Sequence, residues 1–261
     1  MAGNRLPRAF ECLPDIRRSI GQRKPAFFLD FDGTLAPLVP RPELAELPEV
    51  TRELLDLLAH DHLLCLISGR AMADLRSMIG LDNVYYAADH GHYILGPPGS
   101  NVETEIGPED RHELEAAAFE LESRLHHIEG AVVETKGVSL SVHFRLVAEN
   151  ERPVVQKIVS EVVEAAPGLR VISGKLVEDL VPALGWDKGR AVLWLLKRLR
   201  LEKRDSCPVC LGDDSTDEDM FTAVRTWGVS VLVGDGDRDT RAHYVLKDCD
   251  EVASFLRALV T

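Results

Sequence analysis

The chain has 261 residues, 45% of them hydrophobic and 28% charged, with a formal net charge of −13. That is an ordinary globular composition, long enough to bury one large core or two modest ones. The acidic balance argues against nucleic acid or an anionic membrane surface as a partner, whereas a small anionic substrate stays open because a local site can oppose the global field.

The N-terminal stretch MAGNRLPRAFECLPDIRR has no continuous apolar region, so no secretory signal is expected there. Residues 1–23 are expected to form an amphipathic helical extension packing on the core. No run approaches the ~18 apolar residues of a membrane span; AVLWLL before Lys197 comes nearest. The five cysteines are Cys12, Cys65, Cys207, Cys210 and Cys249. An odd count without a leader suggests reduced thiols and a cytoplasmic protein. Cys207 and Cys210 have C-x-x-C spacing, but no second Cys/His pair stands near to complete a zinc site, so core cysteines are expected.

Three short apolar runs end abruptly in polar or glycine residues: AFFLD at 26–30, LLCLIS at 63–68 and PVCLGDD at 208–214. Helical patterns lie between them, in EVTRELLDLLAH at 49–60 and RAVLWLLKRL at 190–199, while VSVLVG at 229–234 and YVL at 244–246 read as further strands. Near-continuous apolar strands alternating with helices predict an α/β fold, a doubly wound and mostly parallel sheet covered on both faces. In such sheets ligands sit beyond the carboxyl ends of the strands, where all three polar terminations fall.

The middle of the chain has a different rhythm. A helix over 109–128 precedes AVVETK and VSLSVHFRLV, two strand-like pieces with a turn at Gly137. A second helix over 151–166 precedes LRVI and KLVEDLV, which bracket a turn at Ser173-Gly174. This αββαββ order predicts an inserted cap, with hinges at GPPGSN and PALG. The expected organisation is an extension at 1–23, core at 24–100 and 184–261, and cap at 101–183.

Asp30 and Asp32, two residues apart at the end of an apolar run, repel by about 4 kcal/mol at an effective dielectric near 20. They call for a cation, and Mg²⁺ is the hard ion that takes carboxylate, carbonyl and phosphate oxygens together. One carboxylate can attack a phosphoryl group; the other can protonate the leaving oxygen and later deprotonate water. Gly33 lets the backbone turn tightly beside the attacked group. D-x-D-G also reads as a plain acidic turn after a strand. Ser68 and Gly69 offer a hydroxyl and N–H groups to a phosphate oxygen, though serine is equally a common helix cap. Lys188 opens a helix, where a cation opposes the macrodipole. Reaching over the strand ends to neutralise phosphate would justify that placement; a lysine in solvent beside a capping Asp187 is the plainer alternative. Asp213, Asp214 and Asp217 follow another apolar strand and can complete a magnesium site, with Asp213 preferred as the direct ligand and the other two as outer or alternative ligands.

In order, D-x-D-G-T, strand-Ser, Lys and G-D-D-x-x-D resemble the haloacid dehalogenase superfamily of phosphohydrolases. The resemblance implies Asp30 as nucleophile, Asp32 as general acid/base, and Ser68 and Lys188 as phosphate ligands. It also implies Mg²⁺ between Asp30, Asp213 and the backbone carbonyl of Asp32. LDFDGTLAPL, LISGR, ADHGHY, KGVSLSVHFR, SGKLVEDLVP, WDKGRAV and LGDDSTDEDMF occur in the order seen in trehalose-6-phosphate phosphatases, from about Ala26 onward. This likeness implies a Mg²⁺-dependent phosphatase, expected to be monomeric, whose cap closes over a phosphorylated disaccharide. It places Arg70, His90, Lys136, Ser139, His143, Arg145, Lys175 and Asp179 among the sugar contacts. Three positions depart from the pattern: Tyr93 stands for an acid, Asp179 for Glu and Val181 for Arg. A valine cannot replace a guanidinium contact.

Overall fold

The computed structural model describes residues 6–39, 41–107, 111–174 and 176–260. The chain divides into two compact units, Met1–Glu103 with Asp187–Thr261, and Thr104–Trp186.

The first unit is built on a sheet that begins with β1 (Lys24–Leu29), β2 (Leu63–Ile67), β3 (Tyr85–Ala88) and β4 (Tyr93–Leu95); its edge strand β5 (Glu103–Glu105) straddles the boundary between the units. β6 to β9 belong to the second unit, and the first unit resumes with β10 (Ser206–Gly212), β11 (Val229–Val233) and β12 (Tyr244–Leu246). The strand order is β12-β11-β10-β1-β2-β3-β4-β5. β12 through β3 pair in parallel, and β4 runs antiparallel to β3. The predicted parallel sheet is therefore present, with an antiparallel edge. From β1 the chain winds outward to β2 and β3, then returns to the other side of β1 through β10. The switch point lies between β1 and β10.

Phe27 and Leu29 of β1, Leu64 and Leu66 of β2, and Val209 and Leu211 of β10 face one core. Ile16 and Ile20 of α1 (Leu13–Ile20) share it, as do Leu54, Leu55 and Leu58 of α2 (Glu49–Asp61), Leu75 and Ile79 of α3 (Met72–Ile79), and Phe255 and Leu256 of α8 (Cys249–Val260). On the opposite face Phe28, Cys65 and Cys210 share one register and are buried; α7 (Glu218–Val224) packs on β10 and β11 and against α6 (Lys188–Arg198). Burial on both faces is why these strands read as continuous apolar runs. It also resolves the C-x-x-C spacing. Cys207 and Cys210 lie three apart on a strand, so their side chains enter opposite faces and cannot share a metal. All five cysteines are free thiols.

The second unit contains α4 (Arg111–Leu125), β6 (Val132–Thr135), β7 (Leu140–His143), α5 (Arg152–Glu164), β8 (Leu169–Ser173) and β9 (Val177–Pro182), the αββαββ order read from the sequence. Its sheet has the antiparallel order β6-β7-β9-β8. One face, with Leu140, Val142, Leu169 and Leu180, packs with Leu121 of α4 and Val155 and Val159 of α5. The opposite face carries a polar row, because Glu134, Ser141 and Asp179 are in register across β6, β7 and β9. Among the described residues no helix is long and apolar enough to cross a membrane.

Candidate active site

Asp30 immediately follows β1, and Asp213 follows β10, so both stand at the carboxyl ends of adjacent strands on either side of the switch point. Carboxylate oxygens of Asp30, Asp213 and Asp217 lie within 4.8 Å of one another. Asp30 and Asp217 are buried, as is Lys188. The Lys188 Nζ donates to Asp30 Oδ1 at 2.8 Å and to Asp217 Oδ1 at 2.7 Å. Lys188 is the first residue of α6, and Asp187 caps that helix by accepting from the Arg190 N–H at 2.7 Å. The lysine thus turns inward from a capped helix start, and two short ion pairs offset its unfavourable place in the macrodipole.

Asp217 has a central position that the sequence left as an outer or alternative ligand. Its Oδ2 accepts the N–H groups of Asp213 at 2.9 Å and Asp214 at 3.1 Å, which ties the strand end to the lysine. Asp214 forms a capping box with it and accepts from the Thr216 backbone N–H and hydroxyl, both at 2.7 Å. Glycine makes the crowding possible: a Cβ at Gly212 would collide with the Asp217 carboxylate, and one at Gly33 with that of Asp213.

Burial pushes Asp30 well above the ordinary carboxylate range; Asp217 and Asp213 add to this, and Lys188 pulls the other way. Burial, with Asp217 and Asp214 beside it, raises Asp213 to about 7. Burial alone would lower the Lys188 ammonium, but the carboxylates of Asp217, Asp30 and Asp214 outweigh it and hold Lys188 well above its usual value. For Asp214 burial opposes ionisation, yet Lys188 and the Thr216 hydrogen bonds bring it below the usual range. With all three carboxylates ionised, one ammonium would leave two negative charges, and each carboxylate pair would repel by about 3 kcal/mol at this spacing and an effective dielectric near 20. The donor set fits a hard divalent cation with oxygen preference.

Asp32 does not join the three clustered carboxylates. Its side chain is 31% exposed, and both its oxygens accept from Arg70, Oδ2 from Nε and Oδ1 from Nη2, each at 2.6 Å. Ser68 is buried at the end of β2, and its Oγ accepts the Arg70 N–H at 3.2 Å. Helix α3 begins only at Met72, so Ser68 is not its cap. His90 lies in a short turn with Asp89, both with left-handed backbones (φ 55° and 49°). The turn is stapled to the Ser68 loop by His90 N–H to Ser68 O and Asp89 N–H to Arg70 O, each 2.9 Å. The His90 ring lies where a Gly69 Cβ would be.

In the second unit Asp179 accepts from the Ser141 hydroxyl and pairs with Lys136 Nζ at 3.5 Å. His143 Nε2 bonds Glu134 Oε2 at 2.7 Å, and that hydrogen bond holds Glu134 below the ordinary glutamate range. Ser139 is buried and its carbonyl accepts the Lys136 N–H at 2.8 Å, closing the turn at Gly137. Arg145 is half-buried, and Lys175 lies outside the described residues. Arg170 is the register partner of Val181. A guanidinium therefore stands on the neighbouring strand, where its Nη2 donates to the Trp186 carbonyl at 2.6 Å. Tyr93 donates to Glu103 at 3.0 Å. Sequence reasoning missed Arg238, which bonds the Asp214 carbonyl at 2.6 Å and Glu218 at 3.1 Å; its place just after β11 was the available signal.

The trehalose-phosphatase family model matches residues 28–250, spanning every site element above. The chain belongs to the trehalose-phosphatase family. A trehalose-phosphate phosphatase B of Arabidopsis thaliana is 35% identical over 98% of the chain and 71% of its own length. An uncharacterized glycosyl hydrolase of Mycobacterium tuberculosis is 38% identical over 97% of the chain, which spans about a fifth of that relative (20%). The fold matches the C-terminal domain of a Candida albicans trehalose-6-phosphate phosphatase with a TM-score of 0.79 over 98% of this chain and 99% of that one, at 24% identity. These relationships bear out the family resemblance read from the motif order.

Proposed function

We propose that this trehalose-phosphatase family member is a Mg²⁺-dependent phosphatase that hydrolyses trehalose 6-phosphate to trehalose and phosphate through an aspartyl-phosphate on Asp30. The carrying observation is the constellation of buried Asp30 and Asp217 and half-buried Asp213 around Lys188 at the switch point. Asp30, Asp213 and the Asp32 carbonyl would hold the metal, with Asp217 behind or beside them; when bound, it offsets carboxylate repulsion and the charge of the phosphoryl oxygens. An Asp30 oxygen attacks phosphorus as the bond to the sugar oxygen breaks, and Asp32 gives that oxygen a proton. Asp32 then takes a proton from water as the water oxygen bonds phosphorus and the Asp30–phosphorus bond breaks. Lys188, Ser68 and the N–H groups near Gly33 and Gly69 hold the phosphoryl oxygens. His90, Lys136, Ser139, His143, Arg145, Lys175 and Asp179 are retained as sugar-contact candidates; Arg70 is not, because its guanidinium is taken up by both Asp32 oxygens and the Pro42 carbonyl.

Asp179, Val181 and Tyr93 favour a second reading in which the same chemistry serves another phosphorylated disaccharide or glycoside. A panel of sugar phosphates scored by phosphate release separates the two. The first reading fails if kcat/KM for trehalose 6-phosphate is no better than for glucose 6-phosphate. Asp30→Asn is expected to abolish turnover with folding retained, and full activity in that variant removes Asp30 from the nucleophile role.

A further inference from the structure

Arg70 is anchored on several sides. Its N–H bonds Ser68 Oγ at 3.2 Å, and its carbonyl accepts from Asp89 at 2.9 Å. Its Nη2 donates to the Pro42 carbonyl at 2.9 Å, and its guanidinium lies 5.3 Å from the centre of the Phe31 ring. The side chain is only 10% exposed, against 31% for Asp32. From this fixed mount the guanidinium grips both Asp32 oxygens at 2.6 Å. A single charged contact would attract the carboxylate and leave it free to rotate. A two-point fork fixes its plane as well.

We propose that Arg70 is a positioning residue for Asp32, setting the carboxylate that exchanges a proton with the leaving oxygen and then with water. The proposal rests on the reading of Asp32 as the general acid/base. It gives the Ser68-Gly69-Arg70 loop two tasks: Ser68 and Gly69 face the phosphoryl group, and Arg70 sets the proton donor.

The test uses two leaving groups. A sugar alkoxide leaves only with a proton, whereas nitrophenolate leaves 4-nitrophenyl phosphate without one. Single-turnover release is measured for Arg70→Ala, Arg70→Lys and Asp32→Asn, with the best sugar phosphate of the panel and with 4-nitrophenyl phosphate. Arg70→Ala should slow sugar release on the order of 10²-fold, the lower range for a lost general acid, and change nitrophenolate release little. Arg70→Lys, which keeps charge without the fork, should fall between wild type and Arg70→Ala. Equal losses on both substrates, or none on either, overturn the positioning role. If Asp32→Asn is selective and the Arg70 variants are not, only the Arg70 proposal falls. If Asp32→Asn is not selective, the acid/base reading itself falls. Melting curves establish that each variant folds, and Arg70→Lys carries the comparison if Arg70→Ala does not.

Discussion

At Gly33 the backbone takes φ +84°, and the space where a Cβ would stand is filled by the Asp213 carboxylate. Left-handed backbone costs a non-glycine residue roughly 1–2 kcal/mol, and displacement of Asp213 would add to that cost. Gly33→Ala is therefore expected to lower the melting temperature and weaken Mg²⁺ binding together, read by calorimetric titration. Unchanged metal affinity would show that the glycine serves the turn alone. At this scale the sequence was legible where chemistry and position coincide. Asp30, Asp213 and Lys188 end or begin elements, and motif order alone brings them forward. The Arg70–Asp32 fork was hidden because it joins two loops whose approach depends on β1 pairing with β2, which no local spacing encodes. Asp217 was partly hidden for a similar reason. Acids in a first helical turn are favourable by themselves, so its inward aim at Lys188 had no separate signature.

The elements that announced themselves are those buried on both faces or carrying a clear helical stripe. AFFLD, LLCLIS and VSVLVG became β1, β2 and β11, and the parallel sheet followed from their alternation with helices. β4 and β5 are three residues each and lie on the antiparallel edge, too short for a period to show. The paired left-handed residues Asp89 and His90 were equally silent, since neither is a glycine that would flag such a turn. The long strand expected through VSLSVHFRLV stops at His143 because Phe144 begins a turn, with the Val147 N–H bonding its carbonyl at 3.2 Å. Helix α1 sends Ile16, fully buried, into the same core as Phe27 and Leu29. Ile16→Ala is thus expected to cost roughly 2–5 kcal/mol, the usual price of an aliphatic core truncation. Urea denaturation measures it, and a loss well under 1 kcal/mol would mean that α1 is dispensable to the core.

Across the whole molecule, negative charge concentrates where the sheet switches direction, and this makes stability depend on pH and cation together. Asp213 sits at about 7 in the folded protein against an ordinary 3.8. A raised acid favours the folded state fully below its unfolded value, and that contribution is lost as pH rises through the folded one. Cation-free protein is therefore expected to melt at lower temperature near pH 8 than near pH 5, with Mg²⁺ restoring more at the higher pH. Melting curves with chelator and with Mg²⁺ check this, and a larger magnesium effect near pH 5 would contradict it.

β1 lies between β2 and β10, yet its partner Lys188 is 158 residues from Asp30 along the chain. During synthesis β1 can pair early with β2, while its other edge waits for Ser206–Gly212 to emerge. Until then the middle of the eventual sheet is an open edge beside Phe27, Phe28 and Leu29, a surface that invites aggregation. The strand that ends at Asp30 is thus a part of the nascent chain in need of protection.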